Sequence, residues 1–240
     1  MPIEERASAG AEGAGGDRGS APAHRDGPDS ARPEEPGTVR PGGRTARVRA
    51  AVLEAAGDAL AEHGFDGLDL AEVARRAEVG KTTVYRRWSS PTGLIADLLA
   101  DMAEQSLPRS DTGSLEGDLL ANARLVVRTL SDRRQGPLFQ AVIAAATCDP
   151  RTAQALHRFY ATRVAEWAPC VLAARERGEV PAGTDAAEVI RAVSAPLYYR
   201  LLTTGDPLDE AAAVRAARSV ALAARSGVFV PADVQPPGGM

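Results

Sequence analysis

Several things are scarce in this sequence, and each scarcity excludes something. Aromatic residues make up 4% of the 240 positions. There are two cysteines, Cys148 and Cys170, too few for a disulfide scaffold and at no spacing used by zinc sites. The three histidines are His24, His63 and His157, which form no metal-binding pair and leave a catalytic triad implausible. A glycine-rich phosphate loop and a nucleophile elbow are both absent. A protein that is not an enzyme and carries no metal or cofactor is therefore expected. No run approaches 18 consecutive apolar residues, which excludes a membrane-spanning helix. The opening MPIEERASAG carries acidic residues and no apolar stretch, so a secretory signal is not expected and a cytoplasmic location is. Alternating β-branched runs are missing too, as are repeats of 20–50 residues and long heptad arrays.

What is present is an average globular balance, 44% hydrophobic and 25% charged, with a net charge of -4. The charge is uneven. Residues 1–43 carry five Arg against eight acidic residues, and only Met1, Ile3 and Val39 are large and apolar. Such a segment cannot bury enough surface to offset its ordering entropy, so a disordered tail is expected, with an arm reaching DNA as the alternative. Between 75 and 90 stand Arg75, Arg76, Lys81, Arg86 and Arg87 against Glu78 alone. Of the 28 basic residues only Lys81 is a lysine, which with the abundant Ala and Gly points to a GC-rich genome.

From Thr45 onward the apolar spacing is helical. Val48, Val52, Leu53, Ala56 and Leu60 share one face, and Gly64 is placed to cap its end. Asp69 can N-cap a short helix carrying Leu70, Val73, Ala74 and Ala77. A third helix starts near Gly80 and runs through Trp88; Ser90-Pro91 opens a fourth with Leu94, Ile95, Leu98 and Leu99 inside. Further helices are expected over 115–131, 137–147, 150–163, 164–177, 185–203 and 209–226, separated by Gly and Pro. The fold class is all-α. The expected division is a tail over 1–43, a DNA-binding unit over 44–92, a helical ligand-binding and dimerisation domain over 93–228, and a frayed tail over 229–240.

The short helices joined by Glu78-Val79-Gly80 make a helix-turn-helix, in which the second helix enters the major groove of duplex DNA. Val84 is expected inside, with Trp88 packed at the end of the unit. Thr hydroxyls and methyls read base edges, Lys and Arg reach guanine or phosphate, and Tyr offers a hydroxyl to phosphate. The candidate DNA contacts are Arg44, Arg47, Lys81, Thr82, Thr83, Tyr85, Arg86 and Arg87.

The stretch from Ala50 to Leu99, including GFDGLDLAEVARRAEVGKTTVYRRW, closely resembles the DNA-binding domain of the tetracycline-repressor (TetR) family of bacterial regulators. SAPLYYRLLTTGDPLDE and LFQAVIAAATCDP resemble one C-terminal subclass of that family. The resemblance implies a three-helix DNA-binding domain and a helical domain that binds a small molecule and dimerises. It places Tyr85 at a phosphate-contacting position. Three residues depart from the pattern. Asp69 replaces a Ser/Thr, Glu78 a Gly and Pro91 a Lys, which together predict weaker nonspecific affinity for DNA. Expected pocket residues are Phe139, Val142, Phe159, Tyr160 and Trp167, with Leu138, Ile143, His157, Val164, Leu172 and Cys148 nearby in sequence. The expected dimer interface uses Val193, Leu197, Leu201, Val214, Ala217, Val220 and Ala221; a stripe facing its own core would look the same. The implied partners are a palindromic operator in double-stranded DNA, a small-molecule effector and a second copy of the chain. The implied function is a ligand-released repressor. An activator of the same fold and a helical protein-interaction module are the alternatives.

Overall fold

Six of the described helices start on a short polar side chain. The computed structural model describes residues 42–105 and 110–232, so the expected tail through residue 41, and positions 233–240 of the other, lie outside the described residues. The helices are α1 (Gly42–His63), α2 (Leu70–Arg76), α3 (Lys81–Arg87), α4 (Pro91–Glu104), α5 (Leu115–Ser131), α6 (Gln135–Cys148), α7 (Pro150–Glu176), α8 (Ala186–Tyr199) and α9 (Glu210–Arg225). No strand occurs among the described residues. Asp69 accepts from Ala71 N at 3.1 Å, Ser90 from Gly93 N at 3.1 Å and Ser114 from Gly117 N at 3.2 Å. Asp149 accepts from Thr152 N at 2.6 Å, Asp185 from Ala187 N at 2.8 Å and Asp209 from Ala212 N at 2.8 Å. Each cap contributes about 1 kcal/mol by satisfying a donor that the helix leaves open.

The core follows the apolar spacing. Val52, Leu53, Ala56 and Leu60 of α1 are buried, as are Leu70, Val73 and Ala74 of α2 and Leu94, Ile95, Leu98 and Leu99 of α4. Between α1 and α2 the chain passes so close to α1 that a Cβ on Gly67 would lie 2.6 Å from the His63 Cβ. Only glycine lets that turn close. α1 packs on α2, α4 and α6; α4 also packs on α7, and α8 and α9 pack together beside α5. The expected division after residue 92 falls two residues into α4, so both halves of the molecule share that helix.

Three expectations need correction. The pair 150–163 and 164–177 is a single 27-residue helix with Pro169 inside it. An internal proline costs about 3 kcal/mol, but burying Phe159, Trp167 and Val171 contributes about 1.5–3 kcal/mol each and outweighs it. The span 185–203 is α8 followed by a π-helical turn over Arg200–Thr204, closed by left-handed Gly205 (φ 65°). The segment after α9 is not frayed at its start. Phe229 packs on the core and its carbonyl accepts from Asp185 N at 2.7 Å.

Candidate functional site

The helix-turn-helix is anchored from beneath. Val84 is fully buried, and Trp88 closes the unit at 4% exposure. The turn between α2 and α3 is a Schellman motif: Val79 N donates to Ala74 O at 2.9 Å and Glu78 N to Arg75 O at 3.2 Å. The same hydrogen-bond pattern recurs after α7 and after α9, where Gly178 (φ 74°) and Gly227 (φ 80°) take the left-handed position. Here Glu78 takes it, at φ 53°. That conformation costs an ordinary side chain about 1–2 kcal/mol.

On the outer side, Lys81, Thr82, Tyr85, Arg86 and Arg87 are exposed, Tyr85 to 47%, and Thr83 is half-buried. Arg44 and Arg47 are exposed on the first turns of α1. The basic run is less free than its composition implies. Arg75 and Arg76 both donate to Glu72, at 2.6 and 2.9 Å, and hold its carboxyl down at about 2. Arg87 is drawn back over the Trp88 ring, 5.1 Å from its centroid. Among the described residues of this region Arg44, Arg47, Lys81 and Arg86 have no ionic partner, Arg47 donating only to the Gly43 carbonyl, so they are the free charges on this side.

Asp97 on α4 ties the reader to the rest of the molecule. It accepts from Arg49 Nη2 of α1 at 2.7 Å and from Trp88 Nε1 at 3.0 Å. Arg49 also bonds Asp101, one turn further along α4. Burial raises the Asp97 carboxyl, but the hydrogen bonds from Arg49 and Trp88 and the charges of Arg49 and Arg87 more than reverse this and hold it below the usual carboxylate range. The same Asp97 bond raises the Arg49 guanidinium against its own burial. Sequence reasoning passed over this pair. Its only signal is the spacing of Asp97 and Asp101, one turn apart on α4.

Behind the reader lies a cavity of about 1140 Å³ between α1, α4, α5, α6, α7 and α8. Of the expected pocket residues, Phe139, Phe159, Tyr160 and Trp167 line it; Val142 is fully buried and does not. Leu138, Ile143, His157 and Val164 also line it, whereas Cys148 and Leu172 are exposed elsewhere. Phe139, Phe159, Tyr160 and Tyr198 form a chain of ring contacts at 5.7, 5.2 and 5.5 Å between successive centroids. Tyr198 was not foreseen, and neither was Asn122 on α5, a polar residue inside a run of apolar ones. The Asn122 Oδ1 and the Tyr160 hydroxyl are buried without a hydrogen-bond partner. Burial pushes the Tyr160 hydroxyl up, and the neighbouring Tyr198 hydroxyl adds to it. Glu54 on α1 and Asp101 on α4 also face the cavity.

The residues expected at a dimer interface are placed differently from their expected role. Val193, Leu197, Ala217, Val220 and Ala221 are buried in the chain's own core, and Leu201 and Val214 are half-buried. The exposed faces are Arg191, Ala195, Tyr199 and Leu202 along α8 and its π turn, and Ala211, Arg215, Arg218 and Leu222 along α9. Tyr199 is 58% exposed and Leu222 68%.

A capped pair of short helices with an exposed polar second helix, joined to a larger helical domain with an amphipathic cavity, defines a DNA-binding transcriptional regulator with a ligand-receiving domain. The comparisons give the family. Residues 52–98 match the bacterial regulatory proteins of the tetR family, and residues 109–220 match a tetracyclin repressor-like C-terminal domain. The chain is 33% identical to an uncharacterized HTH-type transcriptional regulator, YdeS of Bacillus subtilis, over 67% of its own length and 81% of the relative's. It is also 33% identical to the DNA-binding transcriptional repressor TetR of Mycobacteroides abscessus, over 68% of this chain and 85% of that one. Among solved structures it is similar to the TetR family transcription regulator SCO0332, with 31% identity, a TM-score of 0.59, and coverage of 73% and 97%. This chain belongs to the TetR family of bacterial transcriptional regulators.

Proposed function

We propose that the chain works as a homodimeric repressor that occupies a palindromic operator and leaves it when a small molecule fills the cavity. One observation carries this reading: the cavity wall includes Leu53 and Glu54 of α1 and Leu98 and Asp101 of α4, and the same two helices grip the end of α3 through Arg49, Asp97 and Trp88. A ligand that separates α1 from α4 moves the reader without touching it. For that to weaken DNA binding, the ligand must favour the displaced arrangement over the DNA-bound one.

Lys81, Thr82 and Thr83 read base edges, and Tyr85, Arg86, Arg44 and Arg47 contact phosphate. Two copies meet through the exposed faces of α8 and α9, with Tyr199, Leu202 and Leu222 as apolar anchors. Their recognition helices must then stand about 34–36 Å apart, to meet successive turns of one groove face. The test is selection of bound sites from random DNA, followed by measurement of affinity against salt. A palindrome with half-sites one helical turn apart is expected, along with a log–log salt slope of about -0.9 per phosphate contacted. A flat salt profile, or no enriched sequence, refutes it.

A further inference from the structure

The chemistry of the cavity wall is specific enough to name a class of ligand. The chain has only ten aromatic residues, and five of them, Phe139, Phe159, Tyr160, Trp167 and Tyr198, line this one cavity. Chance does not concentrate a scarce residue type in this way, and ring edges meeting ring faces are the geometry into which another aromatic ring fits.

The polar groups add direction. Asn122 is 4% exposed, it lines the cavity, and its Oδ1 accepts no hydrogen bond. The Tyr160 hydroxyl, on the facing helix α7, is likewise unpartnered. A buried carbonyl left open is costly, and a ligand that donates to it recovers that cost on binding.

The charged groups ask for nothing more. Arg134 is held by Asp58 and Glu54 O, Arg163 by Glu166 and by main-chain carbonyls at the end of α4, and Arg191 by Glu188. Asp101 is held by Arg49, and Asp132 accepts from the N–H groups of Arg134 and Gln135. Among the described residues Arg128, Glu54 and Asp132 have no ion-pair partner, but all three are exposed, so water already solvates them and none needs a charged ligand.

We infer that this cavity takes a neutral compound of two or three aromatic rings bearing a hydroxyl or amine hydrogen, with the rings seated among Phe139, Phe159, Tyr160 and Tyr198 and the hydrogen donated to Asn122 Oδ1. The inference rests on the reading of the cavity as the effector site. The volume suits a drug-sized molecule rather than a single ring or a metabolite ion.

The experiment is calorimetric titration of the full chain with three probes. 4-Hydroxybiphenyl has rings and a donor, 4-methoxybiphenyl has rings and no donor, and 4-cyclohexylcyclohexanol has a donor and no aromatic ring. The first is expected to bind at least tenfold more tightly than either of the others. Asn122→Leu is expected to abolish the difference between the first two while leaving the preference for rings. Should that variant fail to bind operator DNA and so report misfolding, the wild-type comparison decides alone. Equal affinity for the hydroxy and methoxy probes, equal affinity for the saturated alcohol, or no binding at all overturns the inference. Operator release separates it from the reading beneath it. If the saturated alcohol binds as well and frees DNA, the effector site stands and the aromatic assignment falls. Selective binding of the hydroxybiphenyl without any change in DNA affinity upholds the ligand class and removes the effector role.

Discussion

Asp97→Ala is the perturbation that most directly probes how the reader is held. Its removal leaves Trp88 Nε1 without an acceptor at a residue only 4% exposed, which costs about 1–3 kcal/mol. It also removes one of the two carboxylates on Arg49. Both side chains of that pair are about a quarter exposed, so solvent screening limits the loss to about 1 kcal/mol. The sum is about 2–4 kcal/mol. In a chain of this size that lowers Tm by about 5–15 °C. Asp97→Asn keeps the shape and one acceptor and costs about half as much. DNA affinity should fall further than stability alone dictates, because Trp88 ends the segment that carries the groove-facing residues. Urea unfolding and operator titration measure the two effects, and a double-mutant cycle with Trp88→Phe isolates the shared bond. The pH dependence has a definite sign. The folded carboxyl lies below its unfolded value near 4, so its contribution is complete above about pH 4 and is lost as pH falls toward the folded value. If Asp97→Ala stays within about 0.5 kcal/mol of the parent and binds operator equally well, the claim that this carboxylate couples α1, α3 and α4 is wrong.

Three further outcomes are expected. Glu78→Gly relieves the left-handed strain but loosens the unfolded chain, so stability should rise by only about 0.5–1 kcal/mol in thermal unfolding; DNA affinity should also increase, whereas Glu78→Gln, which removes charge and keeps strain, should raise affinity alone. Tyr85→Phe should weaken binding equally on operator and random DNA, while Thr83→Ala should change base preference in a site-selection experiment. Gly136→Ala places a Cβ 2.4 Å from the Leu130 carbonyl oxygen, a backbone atom that cannot swing away, and should cost about 2–3 kcal/mol by calorimetry.

Much of this molecule was readable in one dimension because the signals are local. A cap needs only its own side chain and the next turn, so Asp69, Ser90 and Pro91 marked true helix starts. The period of apolar residues identified the buried faces of α1, α2 and α4, and the polar face of α3 followed as what was left over. The chain's own Schellman turns show why Glu78 could be picked out as strained: glycine fills the same position in both of the others.

Tertiary structure decided what depends on distance across the fold. Whether an apolar stripe on α8 or α9 turns toward its own core or toward a second copy cannot be read from its spacing. Val193, Leu197 and Ala221 turned inward because α5 covers them. The expected helices 150–163 and 164–177 run on as one because no breaker stands at Arg163-Val164, and the burial of Phe159, Trp167 and Val171 against other helices supports α7 on both sides of that point. The free charge of the basic segment also depended on Glu62 of α1, which folding brings to 2.8 Å from Arg76. The cavity is likewise a property of six packed helices, and Asn122 gained its meaning only when its neighbours left its oxygen unpaired.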